Sequence, residues 1–215
     1  MSQSEQVRLF ERSLAKNMKA YCVALSKENQ KSLATYYELL LRWNERLHLV
    51  APCSSEEFAT KHVLESLILS DHVTENAKVV DVGSGAGLPI IPCLITRTDI
   101  TATLIESSQK KSVFLREALK TIGALKRTTI VSKPFEECPA PAADFVTCRA
   151  LDDFVSKLSS LIHWAPQGST LLLFGGDSLR QRLTALNHVF TESLLTGSER
   201  RFLFEVKKAV STATR

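Results

Sequence analysis

Residues 78–88, Lys-Val-Val-Asp-Val-Gly-Ser-Gly-Ala-Gly-Leu, constrain the fold more than any other stretch of the chain. The apolar run reads as a short strand buried on both faces, the kind a parallel sheet requires. It runs through Asp81, and Gly83, Gly85 and Gly87 then read as a turn that opens a helix near Pro89. Such a turn lets backbone approach a ligand where a Cβ would obstruct it. The spacing is G-x-G-x-G, with Leu88 where the dinucleotide fingerprint would want its third glycine. A pyrophosphate needs a close seat at the helix N-terminus, whereas a nucleoside carrying an amino-acid tail needs only a turn that clears it. A second strand, 101–106, ends in Glu106, 19 residues beyond Gly87. An acid at that spacing suits a ribose diol, whose two hydroxyls can both donate to one carboxylate. Either feature alone also occurs in an ordinary strand–helix junction or a solvated strand end. Together they point to an adenosine-type cofactor, with S-adenosylmethionine favoured over NAD.

The rest of the chain extends this unit. Strands are expected at 78–82, 101–106, 128–132, 144–148 and 169–174, with helices at 88–96, 109–122, 152–163 and 177–188. Segments 190–196 and 201–207, joined through Gly197-Ser198-Glu199, read as an antiparallel hairpin. Alternating strands and helices imply an α/β, mostly parallel seven-stranded sheet with an antiparallel C-terminal strand. Ahead of it, 4–25, 29–50 and 54–72 read as helices, the last opened by a Ser54/Glu57 capping box. Leu33, Tyr36, Tyr37, Leu40, Trp43 and Leu47 recur at helical spacing and read as core rather than as a platform for bases. The expected organisation is a helical extension, 1–76, packed on a methyltransferase-like Rossmann core, 77–215. The ligand should lie beyond the carboxyl ends of the central strands, where Gly83, Glu106, Lys133 and Arg149 converge.

Composition excludes several classes. In 215 residues, no apolar run approaches the roughly 18 of a membrane span, and Met-Ser-Gln-Ser-Glu does not resemble a secretory signal. Five cysteines form no C-x-x-C pair and read as reduced, so a cytoplasmic protein is expected. The net charge of +4 is uneven: residues 1–76 hold nine Lys/Arg against ten Asp/Glu, the remainder eighteen against thirteen. A basic excess beside the cofactor motif is compatible with a nucleic-acid partner. The histidines at 48, 62, 72, 163 and 188 show no metal-ligand spacing, so no metal site is expected.

The ordered segments Leu-Arg-Trp-Asn-Glu-Arg-Leu-His-Leu (41–49), Lys-His-Val-Leu-Glu-Ser-Leu (61–67) and Asp-Val-Gly-Ser-Gly-Ala-Gly-Leu-Pro-Ile-Ile-Pro (81–92) go further. With Glu-Ser-Ser-Gln-Lys-Lys-Ser-Val-Phe-Leu-Arg (106–116), Asp-Phe-Val-Thr-Cys-Arg-Ala (144–150) and Glu-Arg-Arg-Phe-Leu (199–203), they span nearly the whole chain. The sequence resembles the bacterial small-subunit (16S) ribosomal RNA guanine-N7 methyltransferase G family, also called glucose-inhibited division protein B. The resemblance implies a class I methyltransferase fold, S-adenosylmethionine as cofactor and ribosomal RNA or the small ribosomal subunit as partner, with a monomer expected. It implies a cofactor site of Asp81, Gly83, Ser84, Gly85, Gly87, Leu88 and Glu106, with Pro134 and Phe135 along the adenine. Arg149 would stand at the methyl-transfer end as the catalytic residue, and His62 near substrate or cofactor. Two positions depart from the family pattern. Gly175 stands where a Lys is usual, and Lys133, followed by Pro134, where an Arg is usual.

Guanine N7 carries a free in-plane lone pair and no proton, so its methylation needs positioning rather than a general base. Arg149, ending a central strand, is costly unless paired or facing a ligand. Its alternatives are a structural pair with Asp81 or Glu106, or a functional one, and function is favoured. Lys110, Lys111, Arg116, Lys120, Lys126 and Arg127 surround a helix whose other face is apolar, so they are expected to face solvent, with Lys110, Lys111 and Lys133 candidates for RNA phosphates. A methyltransferase acting on another substrate, or a catalytically weak cofactor- and RNA-binding protein, are the competing readings.

Overall fold

Hydrophobic residues that alternate along each strand place two different apolar faces on one sheet. The computed structural model describes residues 2–149, 151 and 153–208. Seven strands, β1 (Lys78–Val82), β2 (Thr101–Ile105), β3 (Thr128–Val131), β4 (Phe145–Cys148), β5 (Thr170–Gly175), β6 (Phe190–Leu194) and β7 (Phe202–Lys207), lie in the order β3-β2-β1-β4-β5-β7-β6. β1 to β5 run parallel, and β7 pairs antiparallel with both β5 and β6. The chain reverses sheet direction between β1 and β4, so β1 and β4 form the switch point at whose carboxyl end ligands bind in such sheets.

Val79, Ala102, Leu104, Leu172, Phe174 and Leu203 face one side and join the N-terminal helices α1 (Gln3–Asn17) and α2 (Lys27–Leu47) in a single apolar cluster. α4 (Ile90–Thr96) and α5 (Gln109–Thr121) cover the same face. Val80, Val82, Ile105, Val146, Leu171, Leu173 and Phe204 face the other side, under α6 (Phe154–Trp164) and α7 (Asp177–Ala185).

The element boundaries depart from expectation in places with identifiable causes. α1 ends at Asn17, well short of 25, and Cys22 then adopts a positive φ of 55°. α4 begins at Ile90 rather than 88, after a cis Leu88–Pro89 peptide. The third helix, α3 (55–72), is the largest departure. It is α-helical over Ser55–Glu57, widens into a π-helix over Phe58–Leu64, and resumes over Glu65–Leu67 and Leu69–His72. Its capping box is half formed: Ser54 Oγ accepts from Glu57 N at 3.0 Å, while the Glu57 carboxylate pairs with Lys61 at 2.7 Å.

Two arginines act as clamps on helix ends. Arg97 donates to the carbonyls of Ser70, Val73 and Thr74, fixing the end of α3 to the core. Arg127, expected in solvent, instead donates to the carbonyls of Leu94, Arg97 and Ile100. Those carbonyls lack intrahelical partners at the end of α4, which is where a guanidinium is most favourable.

α2 also holds the glycine turn itself. Tyr36 is fully buried, and its hydroxyl donates to the Ala86 carbonyl at 2.7 Å. Tyr36→Phe leaves that carbonyl buried without its partner and should lower stability by about 1–2 kcal/mol. Urea unfolding should show a lower midpoint at unchanged slope.

Candidate active site

A cavity of about 380 Å³ opens at the carboxyl ends of β1, β2 and β4, within the range of small-molecule sites. Its floor is the glycine turn, Gly83 to Ala86 with Leu88. Glu106, Ser107, Ser108 and Lys111 form one wall, and His62, Arg149 and the strap Leu49-Val50-Ala51 line the remainder. A second small cavity adjoins it at Gly83, Ser107 and Leu151, lined also by Lys133, Pro134 and Phe135. The expected residues Gly83, Ser84, Gly85, Leu88, Glu106, Lys111, His62 and Arg149 are therefore brought to one cavity, and Pro134, Phe135 and Lys133 to its neighbour. Asp81 and Gly87 line neither.

The glycines of the turn differ in role. Gly85 has φ of +49°, and a Cβ there would make only an ordinary contact with the Gly83 carbonyl oxygen at 3.7 Å, so its requirement is conformational. Gly87 is needed for packing: a Cβ there would overlap the Ile91 side chain. The Gly85 N–H donates to Glu106 Oε2 at 2.8 Å, and Ser108 N donates to Oε1 at 2.7 Å. A carboxylate has about four lone-pair sites, so Glu106 keeps two acceptor directions for a diol while both backbone bonds persist. That donor set fits the ribose of an adenosine-type cofactor.

Asp81 sits behind the turn, 1% exposed. Burial pushes its carboxyl up to about 7, against the lowering effect of the Ser84 hydroxyl. Its Oδ2 has no partner among the described residues. Asp81 thus supports the loop from beneath, and the reading of it as a direct cofactor contact is corrected to that extent.

Arg149 is paired, but with neither acid expected. Glu106 is occupied by backbone donors, and Asp81 lies under the turn. Instead the guanidinium turns to α3. Nη1 donates to the His62 carbonyl at 3.3 Å and to Ser66 Oγ at 3.0 Å; Nη2 donates to the Lys61 carbonyl and to Glu65 Oε2 at 3.2 Å. Two of these acceptors, the Lys61 and His62 carbonyls, belong to the π-helical stretch, a distortion often found at functional sites. Four of the five guanidinium N–H groups are therefore used, and only Nε–H remains for the cavity that Arg149 lines. The planar fork expected to meet a ligand faces the protein.

Glu65 is the other half of this arrangement, 0% exposed. Arg201 Nη2 approaches its Oε1 to 2.7 Å, a charge contact whose N–H bonds do not point at the oxygen. Burial raises the Glu65 carboxyl, while Arg149 and Arg201 oppose the rise.

His62, on the π-helix, packs against Phe58 with ring centroids 5.3 Å apart. Burial, reinforced by the Arg149 charge, holds it down to about 4, so it is neutral at physiological pH. Its expected approach to RNA is therefore not that of a cation meeting phosphate. Lys110 and Lys133 are exposed, Lys111 is half-buried at the cavity wall, and none of the three has an ion-pair partner among the described residues.

At the departure position Gly175, φ is not positive; a Cβ would stand 2.5 Å from Leu179 Cδ2, so glycine is required by packing. Arg180, a candidate substitute for the missing Lys, is committed to Glu192 and Asp177 and stacked 4.1 Å over Phe202.

A family model described as GidB, rRNA small subunit methyltransferase G, matches residues 29–207. The chain belongs to that family. The ribosomal RNA small subunit methyltransferase G of Xanthomonas campestris pv. campestris is 37% identical over 155 residues, covering 72% of each chain. The Gluconobacter oxydans enzyme of the same name is 37% identical over 141 residues, covering 66% of this chain and 69% of its own. Among solved structures, an RNA methyltransferase from Salinibacter ruber in complex with S-adenosyl-L-homocysteine aligns with a TM-score of 0.51 and 18% identity, covering 68% of this chain and 90% of that one. That likeness shows the methyltransferase fold, as the strand order does independently.

The family's segments converge on the cavity. Trp43 packs edge-on against Phe114 of α5, with centroids 6.1 Å apart, as a core residue. Asn44 beside it binds Val50 through its side chain. The sequence reading did not single out Ser107, Leu151 or the strap as pocket residues, and the Trp-Asn pair was the one signal that pointed toward the strap.

Because His62 is held near 4 in the fold and titrates near 6.5 when unfolded, acidification protonates the unfolded chain first. This group's contribution is present above about pH 6.5 and lost toward pH 4, with a slope of at most about 1.4 kcal/mol per pH unit. Asp81, raised in the fold, acts in the opposite sense over the same range. His62→Gln should therefore lose less stability than the native protein between pH 7 and pH 5, read from urea midpoints.

Proposed function

We propose that this chain transfers the methyl group of S-adenosylmethionine to N7 of a guanine in small-subunit ribosomal RNA, acting in the cytoplasm, where that substrate resides. The observation that carries the proposal is the buried Glu106 carboxylate, tied to Gly85 N and Ser108 N with acceptor capacity to spare at the cavity wall. Gly83 and Gly85 supply the close backbone approach, and Pro134 and Phe135, at an adjoining cavity of about 40 Å³ that shares Gly83 with the main one, mark the side on which the adenine would lie.

S-adenosylmethionine, when bound, supplies an electrophilic methyl on a positively charged sulfur. Around it, Glu106 brings a carboxylate to the cavity, His62 is neutral and Arg149 is paired with Glu65, while Lys111 on the Glu106 wall is a cation with no ion-pair partner among the described residues. The N7 lone pair forms the new bond to carbon as the carbon–sulfur bond breaks, and no proton moves. The residues therefore orient and exclude water rather than exchange protons. Arg149 serves this role by fixing the π-helix that presents His62 to the cavity.

Lys111 and Lys133, which line the two cavities, and the exposed Lys110 next to Lys111 in sequence support a polyanionic substrate over a small molecule, since none of the three has an acidic partner among the described residues. Incubation with labelled cofactor and isolated small subunits or naked ribosomal RNA should yield N7-methylguanine, located by its chemical lability. Absence of transfer to both would overturn the proposal.

Two variants separate the cofactor and RNA sides. Glu106→Ala should weaken S-adenosylhomocysteine binding by about 1.5–3 kcal/mol through loss of charge-assisted contacts, measured by calorimetry. Neutralising Lys110 and Lys120 together, neither of which lines the cavity, should leave that affinity intact. It should reduce the salt slope of RNA binding by about 1–2 units, as phosphate contacts do.

A further inference from the structure

The Trp-Asn pair of α2 has one half explained by packing and the other by an unusual bond pattern. α2 ends at Leu47, and His48 takes a left-handed conformation with φ of 47°. The chain then doubles back so that Asn44 reaches residue 50. Asn44 Nδ2 donates to the Val50 carbonyl at 3.1 Å, and Val50 N donates to Asn44 Oδ1 at 2.9 Å. One carboxamide thus closes both backbone groups of Val50. Only Asn or Gln can both donate and accept in this way, and a residue so close in sequence needs the shorter of the two.

The segment held is the strap Leu49-Val50-Ala51, which lines the cavity. With its central backbone groups occupied, the strap offers mainly carbon to the cavity. The polar contacts of the cavity lie elsewhere, at Gly85, Glu106, Ser107 and Ser108. The apolar part is the strap with Leu88 and His62, the last backed by Phe58. A base taken out of its stack for chemistry is held between apolar or aromatic surfaces. With the cofactor's ribose on Glu106 and its adenine directed toward Phe135, whose own cavity of about 40 Å³ is too small to enclose a purine, the strap stands as the part of the main cavity left for the second base.

We propose that Asn44 is a positioning residue for the acceptor base: by locking Val50 it fixes the strap as one wall of the slot in which the guanine is held for transfer. The inference rests on the transfer reaction proposed above. Asn44 touches no reacting atom and acts only through the strap.

The test uses the full-length chain and isolated small ribosomal subunits. Asn44→Asp keeps the acceptor for Val50 N but turns the donor facing the Val50 carbonyl into a repelling oxygen. Val50→Ala trims the wall and leaves both Asn44 bonds possible. Each variant should hold S-adenosylhomocysteine within about twofold of native affinity, because the Glu106 wall is intact. Each should lower the single-turnover rate at saturating cofactor by about tenfold or more, the scale of a small misplacement. The double variant should be no slower than the poorer single one, because both act through one wall. Native rates, a matching loss of cofactor affinity, or additive losses would each overturn the inference. If Asn44→Asp fails to fold, Val50→Ala decides by the same split between rate and cofactor affinity. Failure of the native protein to transfer at all would instead remove the functional reading on which the inference rests.

Discussion

A carboxylate with no access to water sits where three parts of the chain meet. Glu65 belongs to the N-terminal helices, Arg149 to the end of β4, and Arg201 to the approach to β7. Burying a charge of this kind is unfavourable unless it is compensated, and removing one partner of such a cluster is typically far more damaging than replacing the whole of it. The cluster therefore works less as a source of stability than as a constraint on geometry. Only one arrangement of α3, β4 and the hairpin brings two guanidiniums to Glu65, and that arrangement forms the cavity.

The π-helix belongs to the same constraint. Two of the four bonds that hold Arg149 end on carbonyls of this helix, Lys61 and His62, and a third on Glu65 just after it. The buried cation is thereby paired, with only its Nε–H unbonded, beside a pocket meant for another cation. The electrostatics of the site and the irregularity of the helix are thus one feature. Tyr36 adds a second tie between the helical region and the site, since its hydroxyl holds the glycine turn directly. The helices at the start of the chain are part of the site's construction as well as its cover.

Much of this was legible in the sequence where the signal was local. Val79-Val80, the glycine turn and Glu106 each carry their meaning within a few residues, and the alternation of strands and helices implied a mostly parallel sheet closed by an antiparallel strand, though not the strand order. Side-chain partners between distant segments were less accessible. Nothing near Arg149 names Glu65 as its partner, and nothing in 58–64 distinguishes a π-helix from an α-helix, because both bury Phe58, Val63 and Leu64. Arg127 looked like one of a run of surface cations until the unpaired carbonyls at the end of α4 gave it a destination. Gly87 looked like a ligand glycine, yet the atom it avoids belongs to Ile91. In each case the deciding contact lies across the fold or on a neighbouring turn that pattern alone does not locate.

The close approach of Leu179 to Gly175 has a bearing on how this sequence can change. A side chain at 175 would meet Leu179 Cδ2 at 2.5 Å and its Cβ at 2.9 Å, so any larger residue there needs that leucine to turn away or to be shortened. Shortening Leu179 alone would open a void in the apolar cluster it shares with Leu183 and Phe204. The two positions are thus coupled, and the space that a longer residue at the end of β5 would need is already spent on holding α7 to the sheet.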